Sequence, residues 1–204
     1  MIRPRDAEAT RATILASAVK VFAECGYEGA ATREIAARAG INHALIKYYF
    51  GNKLDLWKEM FKSMVGTHSD FGIPVPDENL TEAEAVRAVK SFVERFIRYQ
   101  AAHPELARIV IQETMRDNER LAWAVEHYFK GGHVRLERLF RWMQERGILP
   151  RVSIPALVFT IVGASQLYYV QAAEVRRIWH IDPMEEPHLQ DHINTVLALL
   201  FPAR

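Results

Sequence analysis

Apolar residues recur every three or four positions along nearly the whole of this chain, and no stretch shows the strict alternation of a half-buried strand. That spacing restricts the fold to helices packed on helices, an all-α protein. With 204 residues there is room for one large domain, or for a small domain joined to a larger one. Half the residues are apolar and a quarter are charged, a balance that excludes wholesale disorder. The net charge of +1 gives no hint of a nucleic-acid partner, but local charge does. From Ile35 to Leu54 there is no Asp or Glu, while Arg38, Lys47 and Lys53 are present with His43 among them. An acid-free surface of that length suits an anionic partner.

The first amphipathic stretch runs from Ala9 to Glu24, with Ile14, Leu15, Ala18, Val21 and Phe22 on one face, and Gly26 ends it. After "YEGA", Thr32 reads as the N-cap of a short helix, "REIAARA", that stops at Gly40. Asn42 then reads as the N-cap of a third helix, His43 to Phe50, and "GN" separates it from a fourth beginning at Lys53. Two short helices joined by a few residues that include Gly form a helix-turn-helix pattern. Spacing turns Ile35, Ala36, Ala39, Ile41, Ile46 and Phe50 toward the first helix. It leaves His43, Ala44, Leu45, Lys47 and Tyr48 on the outer face of the third. Such a helix can present its N-terminal side chains to base edges while Lys47, Tyr48 and Lys53 hold phosphates. The free N–H groups at the start of the fourth helix add a further phosphate site. The charged arm "MIRPRD" before the first helix reads either as a loose terminus or as a DNA contact.

These residues resemble the DNA-binding domain of the TetR family of bacterial transcriptional regulators. The pieces that carry the resemblance are "RATILASAVKVFAECGYEGAATREIAARAGI" and "YYFGNKLDLW", which span residues 11 to 57. Within them, Gly26-Tyr27, Thr32, Ile35-Ala36, Ala39-Gly40-Ile41, Tyr49-Phe50, Lys53 and Leu56 keep the family's spacing. The resemblance implies DNA contacts from Thr32 and Arg33 on the second helix and from His43, Ala44 and Leu45 at the start of the recognition helix. Lys47, Tyr48 and Tyr49 follow along that helix, and Lys53 is the phosphate anchor of the fourth. Ala44 stands where many members have Gly, and Lys47 where many have Tyr, so the kind of contact at 47 differs while its sign holds. Thr32 can cap and bind phosphate together. Tyr49 is read either as a groove contact or as a core residue with its hydroxyl at the edge, and Arg38 as a solvated charge.

The loop-like run "GTHSDFGIPVPDENL" suggests a division into residues 1–65, a three-helix DNA-binding domain, and 66–204, a larger helical domain. The second part reads as helices from Thr81 to Ala102, Glu105 to Met115, Asn118 to Arg146 with a kink at Gly131-Gly132, Ile154 to Ile178 and Glu185 to Phe201. The resemblance implies that this domain holds an effector pocket and dimerises through its last two helices. The residues support the dimer independently. Residues 154–173 carry no charge, and "INTVLALLF" is a second apolar surface that needs covering. A homodimer would place two recognition helices about one DNA turn apart, roughly 34–36 Å, as a palindromic operator requires. Phe96, Tyr99, Trp123, His127 and Phe159 are candidates to line a pocket for an apolar or aromatic small molecule, among many aromatic residues that serve packing.

The uncharged run approaches membrane-span length, but Pro155, Thr160, Ser165, Gln166 and Gln171 interrupt it, so a buried helix is expected and no membrane partner. Cys25 is the only cysteine, which excludes an internal disulfide and suits a cytoplasmic location; it reads as a buried or inert thiol. His188 and His192 have metal-binding spacing without a third ligand, so no metal or cofactor is expected. No phosphate loop, nucleophile elbow or paired-carboxylate motif suggests an enzyme. The reading is a ligand-responsive DNA-binding regulator, a repressor in its simplest form. A DNA-binding protein of this fold without effector control, and a helical ligand-binding protein with a vestigial helix-turn-helix, remain as alternatives.

Overall fold

Ile14, Leu15, Ala18, Val21 and Phe22, spaced for one helical face, are all buried, and they organise the first of two compact units in the computed structural model. The structure describes residues 4–66 and 72–202; part of the predicted 66–80 loop and the start of the N-terminal arm lie outside them. The first unit comprises Met1–His68 together with Arg108–Leu121, and the second comprises Ser69–Ala107 with Ala122–Arg204. The first is therefore not one continuous run.

In the first unit, α1 spans Pro4–Gly29, α2 Thr32–Arg38, α3 Ala44–Phe50 and α4 Lys53–Val65. Helical geometry breaks inside α1 at Gly26, where φ is 68°, a conformation that glycine adopts without steric cost. The break leaves the Ala23 carbonyl to a side chain, and Gln112 Nε2 donates to it at 3.1 Å. Against α1 pack α2 and α4, and α3 packs on α4. Ile35, Ala36, Ile46, Phe50, Leu56, Trp57, Met60 and Phe61 are buried with the α1 face, at roughly 1.5–3 kcal/mol for each large side chain. Ala39 and Ile41, expected in the same core, are only half-buried. Asn52 caps α4 by accepting from the Asp55 N–H at 2.9 Å.

The second unit opens at α5, Glu82–Ala102, with a complete capping box between Thr81 and Glu84. The remaining helices are α6 Pro104–Thr114, α7 Glu119–Ala124, α8 Lys130–Glu145, α9 Ile154–Val170, α10 Ala172–Trp179 and α11 Glu186–Leu200. Helices α6 and α7 each divide between the units, at Ala107/Arg108 and Leu121/Ala122. The core joins α5, α8, α9 and α11 through Val89, Phe92, Val93, Ile97, Leu139, Phe140, Ile161, Tyr169 and Ile193.

Two helix breaks differ from expectation. The predicted kink at Gly131-Gly132 lies one turn earlier, where Val125–Phe129 form a single π turn; both glycines are ordinary helical residues of α8. The single helix predicted from Ile154 to Ile178 is divided at Gln171, and its halves are bent by 68°. Buried residues continue through the bend, from Val158, Ile161, Ser165 and Tyr169 to Ala172 and Val175. No single described helix is long and apolar enough to cross a membrane; α9 and α10 reach that length only as the bent pair.

One buried polar contact is expected to make the second unit sensitive to acid. Tyr169, fully buried, lies with its hydroxyl 2.9 Å from His192 Nδ1, and His192 also bonds the Ala164 backbone. Both bonds are satisfied when Nδ1 accepts from the phenol and Nε2–H donates to the carbonyl, which is the neutral imidazole. Burial holds this imidazole below its ordinary pKa of 6.5. The unfolded chain therefore takes up the proton more readily, so the contribution is complete above about pH 6.5 and is lost as pH falls through that value. The expected result is a thermal midpoint that declines between about pH 7.5 and about pH 5.5, with a shallower decline in His192→Gln.

Candidate DNA-binding face

The connection between α2 and α3 is short because Gly40 takes φ 66° and the Ile41 N–H returns to the Ala36 carbonyl at 3.1 Å. Asn42 does not hold the cap position of α3 as expected; His43 does, and Asn42, one residue earlier, accepts from the Ala44 N–H at 2.9 Å. Thr32 does not cap α2 as expected. Ala31 holds the cap position in extended backbone, and Thr32 is the first residue of the helix. Its hydroxyl is free to pair with His43 Nε2 at 3.0 Å, which links the start of α2 to the start of α3.

The predicted residues divide by exposure. Arg33, His43, Ala44, Lys47 and Tyr48 are exposed, Tyr48 at 75%. Leu45 is half-buried. Tyr49 is half-buried: its hydroxyl is buried, rather than at the edge, without a hydrogen-bond partner among the described residues, and its ring meets Tyr48 at 5.1 Å. Lys53 is half-buried at the start of α4, its ammonium 4.6 Å from the centre of the Tyr27 ring and 3.4 Å from the Glu28 carbonyl oxygen.

Arg38 is not a free solvated charge. It pairs with Glu24 at 2.7 Å and with Glu34 at 2.6 Å, and its hydrogen bonds draw the Glu24 carboxyl below its ordinary range. The positive character of the face therefore falls to Arg33, Lys47 and Lys53. Two residues of this cluster carry no signal of their own in the sequence. Tyr27 was visible only as part of a motif, and Arg120, whose guanidinium lies 3.8 Å from the same ring centre, is far away in the chain. Burial pushes the Tyr27 phenol up, with the Arg120 charge opposing. Cys25, expected to be buried or inert, is exposed.

In the second unit, Trp123 and His127 lie together at the π turn, rings 5.1 Å apart, with His127 Nδ1 2.8 Å from the Trp123 carbonyl oxygen. Phe96 stacks on Phe92 at 5.7 Å, and Tyr99 meets His103 at 4.6 Å. Phe159 is 65% exposed on α9, against His133. An open groove of about 420 Å³ is lined by residues that include Val134, Arg138, Arg141 and Trp142, and none of the five candidates lines it. No group of three metal-ligating side chains occurs among the described residues.

Comparison with known proteins finds two family matches along the chain. Residues 14–60 match the family described as bacterial regulatory proteins, tetR family, and residues 86–199 match the tetracyclin repressor-like C-terminal domain. The HTH-type transcriptional repressor SCO4008 of Streptomyces coelicolor is 32% identical over 179 residues, covering 85% of each chain. HlyIIR, a hemolysin II transcriptional regulator, shares the fold at a TM-score of 0.72 and 23% identity, over 97% of this chain and 99% of its own. AibR, solved with isovaleryl coenzyme A and operator DNA, does so at 0.68 and 17% identity, over 96% of this chain and all of its own. The chain belongs to the TetR family of bacterial regulatory proteins and is a DNA-binding helix-turn-helix regulator of transcription.

Proposed function

We propose that the protein is a repressor that binds a palindromic operator as a homodimer and is released by a small molecule held in its second unit. The observation that carries the dimer is an uncovered apolar stripe. Phe159, Gly163 and Leu167 are exposed at helical spacing along α9, and α11 carries a further exposed apolar side chain, Leu199, at 78%. Large apolar side chains grouped in this way need a partner surface. A two-fold pairing there would present two α3 helices to successive major grooves.

The DNA contacts in this reading come from Thr32, Arg33, His43, Ala44, Lys47, Tyr48 and Lys53. The candidate effector residues remain Phe96, Tyr99, Trp123, His127 and Phe159. The aromatic group at the π turn favours an apolar or aromatic ligand. A ligand preferring one conformation by about 1–3 kcal/mol would change operator affinity about 5- to 150-fold. A cytoplasmic location goes with this reading.

The test is selection of bound sequences from a random duplex pool near physiological salt. The expected product is a palindrome bound at least about a thousandfold more tightly than random DNA. Leu167→Asp with Leu199→Asp is expected to yield monomers by light scattering and to lose the palindrome preference. Binding without any motif, fading only with salt, would leave a DNA-coating protein and remove the repressor reading.

A further inference from the structure

Arg120 is fixed by partners within the first unit. Its Nε donates to both carboxylate oxygens of the buried Glu113, at 3.1 and 3.0 Å, and a terminal nitrogen reaches Glu28 Oε1 at 3.4 Å. Asn118 ties the same turn, donating to Glu113 Oε2 at 3.1 Å and accepting from the Arg120 and Leu121 N–H groups at 2.9 Å. The guanidinium so held sits over Tyr27, the ring that also carries the Lys53 ammonium. Tyr27 is itself held by Phe22, parallel at 6.0 Å, and by Trp57, perpendicular to it at 6.5 Å.

Glu28 decides what this arrangement does. Its carbonyl oxygen already touches Lys53, while its carboxylate is engaged by Arg120. Without the guanidinium, that carboxylate, on the residue whose carbonyl oxygen meets Lys53, would lose its Arg120 partner and could turn toward the ammonium. An ion pair there would offset the charge that a phosphate needs. We propose that Arg120 is a positioning residue for DNA binding: by holding Glu28 and Tyr27, it keeps the Lys53 ammonium available to a DNA phosphate. The inference rests on Lys53 contacting DNA.

The experiment measures binding to a mixed-sequence duplex of about 30 base pairs by fluorescence anisotropy across a salt series, which counts phosphate contacts. Arg120→Ala is expected to bind about tenfold more weakly at low salt, with the salt slope reduced by about one per protomer. Lys53→Ala should show the same loss, Arg120→Ala should add nothing to it, and Glu28→Gln should restore binding to Arg120→Ala. Arg120→Lys, which keeps a charge for Glu28 but loses the paired bonds to Glu113, is the second variant should Arg120→Ala fail to fold. It is expected to keep the wild-type slope, and a reduced slope would count against the inference. An Arg120 that merely supports the fold would weaken binding in the Lys53→Ala background too, leave the slope unchanged and ignore Glu28→Gln. Any of these results overturns the inference and leaves the DNA-binding reading intact, whereas failure of the wild-type protein to bind the duplex removes that reading itself.

Discussion

Lys47→Glu combined with Lys53→Glu is expected to weaken binding to a selected operator by about three orders of magnitude, and to reduce the salt slope of a dimer by about four. Each reversal removes a phosphate contact and places a carboxylate against a polyanion, and a dimer carries each change twice. Lys47 is exposed and Lys53 half-buried at the surface, so the helical content seen by circular dichroism should hold. Arg38→Gln is the control. Its charge is already matched by Glu24 and Glu34, so its loss should change affinity only a few-fold. Near-wild-type binding by the double reversal would mean that the DNA face lies elsewhere.

The largest stability effect is expected from Trp57→Ala, at about 3–5 kcal/mol lost in denaturant unfolding. The indole is 1% exposed, stacked on Phe61 at a centroid distance of 5.0 Å and met edge-on by Tyr27. Truncation would leave a cavity bounded by α1 and α4 residues that cannot close it without moving Tyr27. A loss of that size is a large share of the 5–15 kcal/mol typical of a domain, so DNA binding should fall with it. Trp57→Phe retains an aromatic ring there and should recover most of the loss. A small change in Trp57→Ala would show that the first unit repacks freely and that Tyr27 is not held by its neighbours.

Local periodicity made the helices of the first unit legible. The apolar face of α1 and the short helix pair around Gly40 need only neighbours three or four residues away to declare themselves. Exposure of Lys47 and Tyr48 follows from the same arithmetic. The side-chain pairings were not legible. Thr32 with His43, and Arg38 with Glu24, join different helices, and nothing in the spacing of either partner announces the other. Tyr49 could face either way because a phenol suits both core and surface, and in the fold it is half-buried with its hydroxyl inside. The π turn at Val125–Phe129 escaped notice because a widened turn keeps helical periodicity on both sides, while the glycines that suggested a kink sit on a regular, open helix surface. Arg120 and Gln112 were the most thoroughly hidden. They act on residues 92 and 89 positions away, and both lie in helices whose pattern speaks only of their own burial.

The split composition of the first unit bears on modularity. A reader domain that ended at residue 66 could be cut off and joined to any sensor, and recombination within the family could exchange the two halves at the loop. Here the Ala23 carbonyl is closed by Gln112, and Tyr27 is braced by Arg120. A chimera joined at the loop would keep every helix of the reader and lose both supports, unless the incoming half brought an equivalent glutamine and arginine. For this chain the natural unit of exchange is the reader together with residues 108–121, so the two halves of the sequence inherit part of their structure jointly.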